Sequence, residues 1–329
     1  MFPSRIKTAT LAVLTVTTAL AISACSPTDP QSGDALESAA SGQSMAQSDG
    51  AGVPTVDRSG EGNFPDASGA FGETPTISPG QGEAPGTVSA KTLVQGDGAT
   101  VGAQDVVLVN YAGVLWDGTP FDSSFERGEP IAFSLDGVIP GWKYGLADQK
   151  VGDRVELVIP AQWGYGEGGS GNIPPGATLV FVVDIINAFN ANDTSALTQA
   201  QPTGNALPTG VTVEGEAGQE PKIAFTPDAQ APAETSFTVL NEGSGEELKE
   251  GDFVIARVVG APLGDASLTE SNWARAPEVL SAAQGRLNGY KIGSRIVVVT
   301  PNQAPQSGAG APTGQPSAVV VIDILGALH

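Results

Sequence analysis

KVGDRVELVIP, residues 150–160, is nearly repeated as KIGSRIVVVTP, residues 291–301. Each copy is a β-branched run bounded by glycine and proline, which reads as a strand. The match extends in both directions. KTLVQGDGATVGAQDVVLVNYAG (91–113) pairs with TVLNEGSGEELKEGDFVIARVVG (238–260) without a gap. Upstream, FGETPTI (71–77) is similar to GQEPKIAF (218–225). Downstream, VFVVDIINAF pairs with VVVIDILGAL and sets Asp184 opposite Asp323. Self-similarity of this length marks two structural units, here 71–190 and 218–329, with a polar linker over 191–217.

Each unit reads as mostly strand. VVLVNYAG, RVELVIP and TLVFVVDII are β-branched runs between turn residues. One short helix is expected at PGWKYGLAD, where Pro140 suits a first turn and Trp142 and Leu146 share a face. The expected class is α+β: in each unit a curved antiparallel sheet wraps around a short helix.

The composition narrows the chemistry. The chain has 329 residues and a formal net charge of −21, which repels phosphate backbones and excludes a nucleic-acid partner. It holds one cysteine, Cys25, and one histidine, His329. Those counts exclude His/Cys zinc sites, Cys–His nucleophiles and almost any Ser–His arrangement. No metal or cofactor is expected.

Residues 1–24 read as a secretory signal, with Arg5 and Lys7 before the apolar run LAVLTVTTALAI. LAISAC, ending at Cys25, resembles a bacterial lipobox. The resemblance implies diacylglycerol on the Cys25 sulfur and a folded part anchored at the outer face of the cytoplasmic membrane. Residues 25–70 are rich in Ser, Gly, Ala and Asp, with one basic residue, Arg58. They read as a disordered acidic tether with a reach on the order of 35–40 Å.

Six ordered blocks in the first unit carry a further resemblance: NYAG, DGTPFDSS, VIPGW, KVGDRVELVIP, WGYG and IPPGATLVFVVDI. Over residues 91–190 the chain resembles an FKBP-type peptidyl-prolyl cis/trans isomerase. The resemblance implies an apolar pocket between sheet and helix. Tyr111, Phe121 and Phe181 match its aromatic walls, Trp142 its floor, Asp122 its carboxylate, and Tyr165 a hydroxyl donor above it. Arg127 matches a residue packed near the carboxylate. Ile131 stands where the family often has phenylalanine, and Val138 and Ile139 match the edge that meets a ligand carbonyl. The loop EGGSGN (167–172) is one residue shorter than in common family members. The implied ligands are proline-containing exported polypeptides and macrolides of the rapamycin type.

Rotation about an X–Pro bond makes no covalent bond, which agrees with the missing imidazole and thiolate chemistry. Two other readings fit the same residues: a non-catalytic chaperone that holds clients, and a scaffold that presents loops. GYGEGG (164–169) matches a dinucleotide motif, but Asn-Ile-Pro-Pro follows where a helix is required. Asn192-Asp193-Thr194 is a chance sequon in a chain with a lipobox.

The second unit keeps the framework blocks and lacks the pocket residues. Val258 stands opposite Tyr111, Ala283 opposite Trp142 and Gln306 opposite Tyr165; no PFDSS block is present. The expectation is an FKBP-like unit without an active site that folds by itself. Its helix would lie at PEVLSAAQGRLNGYK, with Trp273 filling the space left by the missing indole.

Overall fold

The repeated runs form strands, and their order in the sheet repeats too. The computed structural model describes residues 52–302 and 316–329. The leader 1–24, Cys25 and Gln306 lie outside the described residues. The first half contributes β1 (Val56–Asp57), β2 (Ala67–Ser68), β3 (Thr76–Ile77), β4 (Val88–Val94), β5 (Val106–Leu115) and β6 (Pro120–Ser123). The helical turn α1 (Ser124–Arg127), β7 (Ile131–Ser134), helix α2 (Pro140–Leu146), β8 (Arg154–Ile159) and β9 (Leu179–Phe189) follow. Their main sheet runs β1-β4-β8-β9-β5-β6, with β7 beside β5.

After the turn α3 (Ser195–Thr198) come β10 (Gln201–Pro202), β11 (Val211–Glu214), β12 (Lys222–Phe225), β13 (Ser236–Glu242) and β14 (Phe253–Pro262). The last strands are β15 (Glu270–Ser271), β16 (Glu278–Ser281), β17 (Arg295–Val299) and β18 (Ala318–Leu328). Their main sheet runs β10-β13-β17-β18-β14-β15, with β16 beside β14. Strand for strand this is the first path again. β2–β3 and β11–β12 are matching two-stranded hairpins.

Helix α2 lies where PGWKYGLAD predicts it. Pro140 occupies its first turn, and Trp142 and Leu146 are fully buried. They pack on the inner face of the first sheet, against Val109, Tyr111, Leu157, Phe181 and Val183. A Cβ at Gly141 would overlap the Ile159 side chain, so glycine there sets how closely the helix approaches β8.

No helix forms at the matching place in the second half. Residues 278–281 pair with β14 instead, and residues 282–286 are turns. The first-turn proline is replaced by Ser281, and Arg286, opposite Gly145 of α2, takes a left-handed φ of 55°. The start signal is gone, and a left-handed residue interrupts a helix. Leu287 and Ala282 are nonetheless fully buried against Val254, Ile296 and Ile324, with Phe237 and Tyr290 packed alongside. Trp273 is partly buried, but it does not fill this core. Asn272 Oδ1 accepts from Val258 N at 2.8 Å, and Trp273 packs among residues of the sheet's other face.

β5 and β8 are buried along nearly their whole length, which is why they read as continuous apolar runs. In the first half Phe64 and Ile77 cover Val114, Val158 and Val180. In the second half Val211, Ile223 and Phe225 cover Val297, Val299, Val319 and Val321. The remaining outer surfaces meet each other: Val106 and Leu108 pack with Ile255, Leu325 and Leu328. Arg257 reinforces the seam, donating to Asn272 O at 2.9 Å and to Ala191 O at 3.2 Å.

Two expected boundaries move. Residues 52–70 do not continue the tether: Val56 and Asp57 pair in parallel with Val88 and Ser89, and Pro54 and Pro65 are buried. Arg58 donates to Tyr144 O and Ala147 O, both at 2.7 Å, at the C-terminal end of α2. Nor is 191–217 a bare linker. Leu197 is buried in the seam, β10 pairs with β13, and β11 belongs to the covering hairpin. In both cases an exposed apolar sheet face takes up chain that composition alone would leave in solvent.

The two quoted stretches have a common cause. Arg154 donates from Nε and Nη2 to Asp184 at 2.5 and 2.7 Å, with both residues about 1% exposed. Arg295 donates to Asp323 at 2.7 and 2.9 Å in the same way. Each guanidinium also reaches the loop of its covering hairpin: Arg154 to Glu73 O, and Arg295 to Gly215 O and Gln219 O. The repeated sentence therefore encodes a buried ion pair that pins a covering strap to a sheet.

Candidate active site

The aromatic residues of the first half converge between α2 and the inner face of the sheet. Trp142 from α2 meets Tyr111 of β5 edge to face at 5.4 Å and Phe181 of β9 at 5.2 Å. Phe121 of β6 meets Phe181 at 5.4 Å, again edge to face. Such contacts add about 0.5–1.5 kcal/mol each beyond the area they bury. Gly113 makes the last contact possible: a Cβ there would stand 2.7 Å from Phe121 and 2.9 Å from Phe181.

A polar triangle borders the aromatics. The Tyr111 hydroxyl donates to Asp122 Oδ2. Arg127 donates to Asp122 Oδ1 at 2.5 Å and to the Tyr111 hydroxyl at 3.0 Å. Its guanidinium lies 5.5 Å from the Tyr111 ring centre. Burial first, and then Asp122, pushes the Tyr111 hydroxyl well above its usual range. The Tyr165 hydroxyl is raised by burial and by the Asp122 charge. Both stay protonated donors across ordinary pH.

Every site residue predicted within the described chain joins this assembly. Val138 and Ile139 are buried in the same cluster, and Ile131, Phe121 and Tyr165 pack against it half-buried. Asp122 and Arg127 sit at its rim, with side chains about two-fifths exposed. Arg127 does more than pack near the carboxylate, since it binds Asp122 directly. Cys25 lies outside the described residues.

Phe133, Trp163 and Ile173 also pack here, and sequence reasoning passed over them. Phe133 lies 5.7 Å from Trp142 and 6.2 Å from Tyr111. It supplies a phenyl ring beside Ile131, which stands where the family often has phenylalanine. The signal was present: Ile131 and Phe133 are two apart in a strand and share a face.

The second half builds no such assembly among its described residues. β14 carries Val258 where β5 carries Tyr111, and Val320 faces Gly260 where Phe181 faces Gly113. The stacked pair Phe237–Tyr290, 6.5 Å apart, sits on a core of aliphatic side chains.

Comparison with known proteins gives the same region. The family model for FKBP-type peptidyl-prolyl cis-trans isomerase matches residues 98–186. The isomerase FkpA of Escherichia coli is 47% identical over 105 residues, covering 32% of this chain and 39% of that protein. A crystal structure of FkpA aligns over 31% of this chain and 48% of its own, with 45% identity and a TM-score of 0.30. The chain thus spans less than half the length of that relative. An FK506-binding protein of Streptomyces anulatus is 42% identical over 119 residues, 35% of this chain but 96% of that protein. With nearly the whole of that relative matched, this chain belongs to the FKBP-type peptidyl-prolyl cis-trans isomerases.

Proposed function

We propose that the first half of the chain catalyses cis/trans rotation about X–Pro bonds in exported polypeptides. The observation that carries this is the aromatic cluster Tyr111, Phe121, Trp142 and Phe181, bordered by the Tyr111–Asp122–Arg127 triangle. The barrier to rotation is about 18–20 kcal/mol and comes from amide resonance. Resonance separates charge between oxygen and nitrogen. An apolar aromatic site disfavours that separation and so favours the twisted amide. A protonated hydroxyl such as that of Tyr165 holds the carbonyl oxygen in place. A thousandfold acceleration needs only about 4 kcal/mol of preferential binding to the twisted form.

The same pocket accepts macrolides of the rapamycin type; the name of the Streptomyces anulatus relative supports this. Cys25 carries a lipid anchor, and the protein works outside the cytoplasmic membrane; LAISAC and the leader before it support this. The second half is an FKBP-like unit without a site, which braces the first through the shared apolar seam.

A protease-coupled assay with a prolyl peptide tests the activity on the full chain. Catalysis that a macrolide inhibits supports the proposal, and its absence from a well-folded chain rejects it. Membrane fractionation with mass spectrometry tests the anchor. Cys25→Ser should release the chain or leave its leader uncleaved, and a wild type that is soluble and free of lipid rejects the anchor.

A further inference from the structure

Beside the aromatic cluster lies a groove of about 550 Å³, within the usual range of ligand clefts. One wall is Phe121, Asp122 and Glu126, from β6 and α1; the other is Thr74, Pro75 and Ile77, from the covering strap. Phe121 and Asp122 thus belong to both the groove and the candidate active site.

Three features suit the groove to an extended polypeptide. β6 is the last strand of its sheet, so its outer backbone edge is open to pair. The far wall is held firmly, because Gly72 N donates to Asp184 at 2.7 Å and Arg154 donates to Glu73 O at 2.6 Å, immediately before Thr74. The charge is one-sided. Arg127 is engaged by Asp122, while Glu126 is exposed and makes no ion pair among the described residues. The net charge of −21 extends the same field.

We infer that this groove receives the polypeptide segment flanking the proline and selects for a cationic side chain in it. The inference rests on the isomerase reading of the adjacent site. Its far wall lies outside residues 98–186, so it is an addition to the region matched by the family model.

The test compares a short chromogenic Ala-Pro peptide with longer proline peptides carrying Lys or Glu a few residues from the proline. All are assayed on the full chain at low salt. The Lys peptide should exceed the Glu peptide by about tenfold in kcat/KM. Glu126→Lys should invert that preference, which mere structural damage does not do. Thr74→Trp, at an exposed position, should lower kcat/KM for the Lys peptide several-fold more than for the short one. Equal rates for the Lys and Glu peptides, untouched by either substitution, overturn the groove and leave the isomerase reading standing. If the short peptide is not turned over at all, the isomerase reading falls instead. Fluorescence anisotropy of a labelled Lys peptide then decides the groove: weaker binding to the Glu126→Lys chain supports it, and unchanged binding overturns it.

Discussion

The two halves of this chain share a sheet and differ in what the sheet holds. Strand order, covering hairpin and buried Arg–Asp pair recur almost position for position. Yet the first half wraps an indole in aromatic rings, and the second fills the same space with Leu287, Ala282 and aliphatic strands. Framework and site are therefore written in different residues. The framework needs β-branched runs and one ion pair. The site needs about six aromatic and polar side chains that the framework does not require.

The sharpest way to break the comparison is to remove the shared device. Asp184→Ala leaves Arg154 buried without its counter-charge, which costs about 3–5 kcal/mol. Asp323→Ala should cost a similar amount through Arg295. Because the sheets bury Val106 and Leu108 against Ile255 and Leu325, either substitution should lower a single unfolding transition of the full chain. Two transitions in denaturant, with each variant moving only one, would show the halves to be energetically separate.

The next contrast is one residue. Glu156 occupies the outer face of β8 where Val297 occupies that of β17. It is fully buried, and neither carboxylate oxygen has a hydrogen-bond partner. Lys91 faces it from β4, Asp66 from the strap and Arg154 from its own strand. Burial is the main cause that raises its pKa from 4.5 to about 7, with Lys91 opposing and Asp66 adding. The folded state thus holds the proton longer than the unfolded chain does. The stabilising contribution is complete below pH 4.5 and is lost as pH rises through 7, a change on the order of 3 kcal/mol. Glu156→Val copies the second half. It should flatten the pH dependence of stability between pH 5 and 8, as measured by chemical denaturation, and raise stability at the alkaline end. An unchanged pH slope would show that Glu156 does not titrate in that range.

Much of this comparison was legible in the sequence. β5, β8 and β9 could be read because strands buried on both faces keep unbroken β-branched runs. Helix α2 could be read because Pro140 and the Trp142–Leu146 spacing are local signals. The candidate site residues were read from ordered blocks, each set by its own strand or turn. What escaped depends on distant partners. The two-residue strand at Val56 exists only because β4 offers an edge. The lost helix at residues 282–286 kept a plausible apolar spacing while its start signal had gone. The seam joins faces whose apolar residues could equally have met a strap. Phe133 escaped because the family pattern marks Ile131, two residues before it on the same face of β7.

The smallest expected effect concerns Arg58, the one basic residue between Ser26 and Ala70. Its side chain is about one-third exposed, yet it bonds the carbonyls of both Tyr144 and Ala147. Those groups lie at the end of α2, where a cation also meets the negative pole of the helix. The matching edge of the second half carries Gln201–Pro202 and has no helix to cap. Arg58→Gln should therefore cost about 1 kcal/mol, because the bond to Tyr144 O is exposed and only that to Ala147 O is half-buried. Through Trp142, which rides on the same helix, kcat/KM for a prolyl peptide should fall by up to about fivefold. A thermal melt and the protease-coupled assay measure the two effects separately. A fall in stability without any change in activity would confine Arg58 to fastening the strap. A fall in activity with unchanged stability would make its hold on the Trp142 helix the larger part of its role.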